Sequence, residues 1–195
     1  LYYKNINTYV GTSVIAPKNN GKIVGGSNSA ILLPEKLTIE QNRILNFAYK
    51  TAKEDGHKHP EILQAILLQE TRAGDMKSFK VAGQEFGLKT NERYYGIAQI
   101  KLDAAKDVLK TYPDIKNKYN FHTDTDEEII AHLIMNDEFN IEVASKYLLI
   151  ISRYNKDSNF IIGAYNKGIN SAKQLGENIV NLEYVKKVKQ YMSKL

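Results

Sequence analysis

Apolar residues recur at helical spacing through most of the chain, and from Pro34 onward that period predicts one helix after another. The first begins at Thr38, which with Gln41 forms a capping-box pattern: each side chain can satisfy the other residue's free backbone donor. Ile44, Phe47 and Ala48 make its inward stripe. A second helix starts near Pro60, whose missing amide hydrogen does no harm at a first helical position. It carries Ile62, Leu63, Ile66 and Leu67 and ends around Ala73 and Gly74. Residues 75–94 hold few apolar anchors and several Gly and Lys, which predicts a loop with a short strand or hairpin around Val81 to Leu88.

A helix is expected from about Ile97 to Tyr112, stopped by Pro113. Thr125 and Glu128 repeat the capping-box pattern and open a helix through Ile129, Ile130, Leu133 and Ile134. Another runs from about Glu138 to Tyr154, with Ile141, Ala144, Tyr147, Leu148 and Ile151 inward. A short helix follows Ser158 and ends at Gly168, and the last spans roughly Leu182 to Ser193. Seven helices with short connections and little strand signal predict a mainly α domain over residues 37–195.

Residues 1–36 differ. Thr8, Tyr9 and Val10 are β-prone, while Gly11, Gly21, Gly25 and Gly26 punctuate the segment. This predicts an extended N-terminal arm or hairpin. Packing on the main domain, tethering to an upstream region and binding a partner protein all stay open. No internal repeat is visible.

Composition narrows the picture a little. At 195 residues the chain can bury a core without a staple, and with no cysteine it has neither disulfide nor thiolate metal site. The chain begins at Leu1 with no charged leader and apolar stretch, as expected of a mature or trimmed product. No window approaches the roughly 18 apolar residues of a membrane-spanning helix, so a soluble protein is expected. Lysines and arginines number 27 against 22 acids, a net charge of +5, which favours an anionic partner such as nucleic acid, a membrane surface or a bacterial wall. No nucleic-acid fingerprint accompanies it, and the cluster Lys186, Lys187 and Lys189 is explained by a solvated helix face. His57 and His59 share a turn, while His122 and His132 stand apart, so no metal site is expected.

One position carries chemistry. Leu63, Ile66, Leu67 and Glu70 fall on one side of a helix, with the carboxyl in an otherwise apolar stripe. Burial raises a carboxyl pKa, which lets a general acid hold its proton near neutral pH. The bland alternative is a surface helix end with Glu70 in water, and position by itself does not choose between them.

The company of Glu70 is more specific. Gln69-Glu70-Thr71 precedes Tyr95-Gly96-Ile97-Ala98-Gln99-Ile100, then Ala164-Tyr165-Asn166-Lys167-Gly168, then Tyr184-Val185. In this order, over roughly residues 38 to 193, the chain resembles the soluble-lytic-transglycosylase-like (SLT) domains, whose lysozyme-like fold is related to goose-type lysozyme. The resemblance implies that Glu70 is the catalytic glutamate and Thr71 the hydroxyl residue beside it. It implies that Gln99, in the segment opened by Tyr95, contacts the sugar, that Tyr165 lies near the glutamate, that Asn166 orders the site and that Tyr184 lines the cleft. Taken singly, Tyr165 and Tyr184 also fit half-buried core tyrosines, and Asn166 with Gly168 an ordinary helix end. Ala98 stands where the family commonly has methionine, which removes bulk from the expected cleft wall, and the segment between Glu70 and Gly96 is longer than usual.

The implied activity is lytic transglycosylase cleavage of peptidoglycan glycan strands at the bond between N-acetylmuramic acid and N-acetylglucosamine, forming a 1,6-anhydro sugar without cofactor or metal. Ordinary glycosidases use two carboxyl groups; here only Glu70 lies in a matching motif. A hydrolytic lysozyme using Glu85 or Asp75 as second carboxylate, a non-catalytic wall-binding module and a nucleic-acid-binding helical domain are the alternatives. The substrate implies action in the periplasm or outside the cell, and the unusual arm inclines the expectation toward a phage-associated or secretion-associated, virion-delivered protein.

Overall fold

The structure is a computed structural model that describes residues 37–75, 81–83, 88–123 and 125–195. The expected N-terminal arm, and Glu85, lie outside the described residues. The described chain is mainly α, with nine α-helices and one three-stranded sheet of very short strands.

Helix α1 (Ile39–Glu54) opens with the expected capping box: Thr38 Oγ1 accepts from Gln41 N at 3.1 Å, and Gln41 Oε1 accepts from Thr38 N at 2.8 Å. Ile44, Leu45 and Ala48 are buried, while Phe47 is half-buried at the edge of the core. Helix α2 (Glu61–Thr71) follows Pro60 and is apolar nearly all round, as a helix packed on more than one side must be.

The short strand expected near Val81 is present, and its partner lies further along the chain; residues 84–87 lie outside the described residues. Strand β1 (Val81–Ala82) pairs antiparallel with β2 (Tyr94–Tyr95), which pairs with β3 (Ile100–Lys101). The reason is burial: Tyr95 and Ile100 face each other across the β2–β3 pair and both enter the core. The helix expected from Ile97 therefore begins later, as α3 (Leu102–Thr111). Gly96 at φ 71° and Gln99 at φ 52° are left-handed, which no α-helix tolerates, so residues 96–99 form a tight turn instead.

A five-residue helix, α4 (Asp114–Lys118), follows Pro113 and buries Ile115; the sequence pattern was too short to announce it. Helix α5 (Asp126–Met135) has Thr125 as its N-cap, but its capping box is only half formed. The Glu128 carboxylate reaches past Thr125 to His122 N and Thr123 N, both at 2.7 Å, which closes the preceding loop. Helix α6 (Asp137–Ser152) runs through the core, packed by α1, α3, α5 and α7 (Ser158–Lys167). Ile141, Ala144, Leu148 and Ile151 are buried as expected; Tyr147 is half-buried.

Gly168 separates α7 from a second unanticipated helix, α8 (Ile169–Leu175). Its φ of 85° lets the chain stop one helix and start the next at a single residue. Helix α9 (Glu183–Met192) packs along α2, the pairing that brings Tyr184 to Glu70. No helix among the described residues is long and apolar enough to cross a membrane.

Candidate active site

Glu70 lies in the last turn of α2, where the helix face turns from core to solvent. Burial pushes its carboxyl up from the usual range to about 7, and a hydrogen bond from Tyr184 partly offsets that rise. The Tyr184 hydroxyl, from the first turn of α9, donates to Glu70 Oε1 at 2.5 Å. Among the described residues no lysine or arginine pairs with Glu70. The carboxyl is thus half-buried beside a neutral donor, which favours the proton-bearing form more than an exposed position would.

Tyr165, on α7, completes this group. Burial first, and the Glu70 charge second, raise its pKa well above the ordinary value; the same two causes, in the same order, act on Tyr184, which also feels Tyr165. The Tyr165 hydroxyl donates to Ala98 O at 2.7 Å. Its one proton is committed to the turn, so toward Glu70 the oxygen can only accept.

The turn at residues 96–99 is held from several sides. Asn140, in the first turn of α6 and fully buried at 0% exposure, donates to Tyr95 O at 2.9 Å and Leu133 O at 3.1 Å, and accepts from Ala98 N at 2.7 Å. A Cβ at position 96 would overlap the Leu133 carbonyl and the Asn140 amide, so only glycine fits. Thr71 Oγ1 donates to Ile97 O at 2.8 Å and accepts from Gly74 N at 3.1 Å. The Gln99 side chain folds back to donate to Gly96 O at 2.7 Å.

The structure therefore separates the seven residues singled out by sequence. Glu70, Tyr165 and Tyr184 come together. Gln99, Tyr165 and Asn166 line an adjoining cavity of 180 Å³ with Tyr94, Asp103 and Tyr147. Thr71 and Tyr95, which the resemblance also offers as substrate-binding residues, have their hydroxyls turned to the protein's own backbone. Thr71 is buried with its hydroxyl spent on the turn, and Tyr95 is buried with its hydroxyl donating to Thr90 O at 2.8 Å. Asp75 is exposed, and no described hydrogen bond or ion pair ties it to Glu70.

Asn140 is the residue that sequence reading missed, and a signal for it existed. It stands four residues before Ala144 on the stripe that continues through Leu148, a polar group at an inward position that must find partners. Among the described residues no cluster of three or more His, Cys, Asp or Glu is arranged to hold a metal. His57 Nε2 lies 3.0 Å from Ser145 O, His59 bonds Glu61, and His132 stacks on Phe121 at 4.2 Å. The chain matches no protein-family model, no curated protein and no solved structure.

Proposed function

We propose that the protein is a lytic transglycosylase of lysozyme-like fold that cleaves peptidoglycan glycan strands, with Glu70 as its single acid and base. The observation that carries the reading is the Glu70 carboxyl itself: half-buried, unpaired with any described cation, pushed up to about 7 by desolvation and fixed by the Tyr184 hydroxyl. A group with that pKa has comparable acid and base forms near neutral pH, the condition for serving in both directions within one turnover. The ordered resemblance of the Glu70, Gly96–Gln99 and Tyr165–Asn166 segments to SLT domains supplies the substrate.

In the proposed reaction Glu70 gives its proton to the glycosidic oxygen as the bond from that oxygen to the N-acetylmuramic acid anomeric carbon breaks. The substrate's acetamido group stabilises the cationic carbon, the substrate-assisted alternative to a second carboxylate. Ionised Glu70 then removes the proton of the muramoyl 6-hydroxyl as that oxygen bonds the anomeric carbon. The product is a 1,6-anhydro sugar, and Glu70 regains its proton. Tyr184 donates to the carboxylate formed between the two steps, which limits the penalty of a buried charge.

The substrate places the proposed activity outside the cytoplasmic membrane, in the periplasm or delivered there by a phage particle or secretion machine. Digestion of purified peptidoglycan with the native protein and with Glu70→Gln tests the reading. Muropeptides one water lighter than hydrolytic products, lost in the variant, are expected. Reducing-end products would make it a hydrolytic lysozyme, and no products from either protein would leave a wall-binding module.

A further inference from the structure

The cavity beside Gln99 does not end the polar, tyrosine-lined surface. Lys167 and Gly168 border both that cavity and a second hollow at the start of α8, and Tyr154 borders both the second hollow and a third of 570 Å³. The third is walled by Asn155, Asn159, Lys173, Glu177 and Val180. The tyrosines follow the same route. Tyr165 and Tyr147 have ring centroids 6.0 Å apart, and Tyr154 is near enough to contribute to the raised pKa of Tyr147. Tyr147 and Tyr154 are seven residues apart, which puts them on one face of α6 and the turn that extends it.

Tyr154 is unusual among these tyrosines because it is 56% exposed, with the Lys173 ammonium 4.4 Å from its ring centroid. The cation lies over the ring and helps to orient it, while more than half of the residue's surface stays open to solvent. An exposed, oriented aromatic flanked by amide, carboxylate and ammonium groups suits a sugar ring, which offers an apolar face of C–H groups and a rim of hydroxyls. A lipid or an apolar helix would leave those polar groups unpaired.

We propose that the three hollows form one glycan-binding track leading from the Gln99 cavity along α7 and α8 to Tyr154, which serves as a remote stacking platform for a sugar ring. The occupant is the same linear polysaccharide named above, so the inference rests on that reading. A second contact on one strand raises the local concentration of the rest of the strand at the cleft, and its contribution grows with chain length.

The test measures binding, with Glu70→Gln present throughout so that no substrate is consumed. The probes are purified insoluble peptidoglycan and a soluble N-acetylglucosamine trimer. Adding Tyr154→Ala is expected to weaken peptidoglycan binding roughly three- to tenfold while leaving the trimer within twofold. Val180→Asp, at the far wall and 45% exposed, is expected to act in the same direction. Amide shifts of Gly168 and Lys173 on titration with an N-acetylglucosamine hexamer report the track without any variant. Unchanged peptidoglycan affinity in both variants, equal losses on trimer and polymer, or no hexamer-induced shift at Gly168 and Lys173 would overturn the proposal. The two readings fail separately: cleavage by the native protein without Tyr154-dependent binding removes only the track, and Tyr154-dependent binding without cleavage removes only the catalytic reading.

Discussion

Two carboxyl groups sit at opposite ends of the α1–α2 hairpin in contrasting company. Asp55, at the end of α1, is held by the Lys146 ammonium and by the Ser145 hydroxyl, both at 2.6 Å, and the same serine bonds His57. Glu70, at the end of α2, has one neutral phenol. Glu142 resembles the first case, paired with Lys118 and accepting from Tyr119 at 2.8 Å. A carboxylate kept for architecture is paired with a cation and a hydroxyl. A carboxyl denied a cation in a buried place keeps its proton into the neutral range and stays available for chemistry.

The largest expected consequence of this contrast is on rate. Glu70→Gln should lower glycan cleavage by about 10² to 10⁴-fold, the usual contribution of a positioned acid or base, measured as muropeptide release. Asp55→Asn should leave the specific rate of the folded protein within a few-fold. If the two variants lost activity equally, the division between architectural and chemical carboxyls would be wrong.

Stability should depend on pH through position 70. The folded carboxyl titrates at about 7 against an ordinary 4.5, so the folded state binds more protons than the unfolded chain between those values. The stability tied to this group is fully present below about 4.5 and is lost as pH rises through about 7. Glu70→Gln should therefore match the native protein near pH 4 and exceed it by up to about 3 kcal/mol at pH 8, in urea unfolding at both pH values. A constant difference across that range would mean that Glu70 is not desolvated.

Removing the cation at the other end should do the reverse. Lys146→Met leaves the largely buried Asp55 without its charge partner and is expected to destabilise by about 2 kcal/mol, less than a fully buried pair because both side chains keep some solvent contact. Its effect should appear in unfolding curves and not in the pH profile of cleavage.

Tyr184→Phe gives the smallest change and the finest discrimination. Its hydroxyl lowers the Glu70 pKa, so its loss should move the alkaline limb of the rate profile to higher pH and reduce the maximal rate about tenfold. An unmoved limb would detach Tyr184 from the chemistry.

Legibility in the sequence followed from how local each feature is. The Thr38–Gln41 box, the α2 stripe and the Gly168 stop were readable because helix periodicity, capping and chain reversal act over a few residues. Helices α4 and α8 were missed because five and seven residues are too few for a period to register. The 97–101 segment was misread as helix because its apolar spacing is helical. What overrides it is the set of bonds from Asn140, Thr71 and Tyr165, which arrive from three other helices.

The same division separates what each level of description determined about this protein. Sequence by itself determined a mainly α chain and singled out Glu70 as a carboxyl on an apolar helix face. Only the tertiary structure decided that this carboxyl has no described cationic partner, that α9 packs along α2 to bring Tyr184 to it, and that the Thr71 and Tyr95 hydroxyls bond the backbone at Ile97 and Thr90. Burial and pairing are properties of groups brought together from distant positions, so they set a pKa that no stretch of sequence contains.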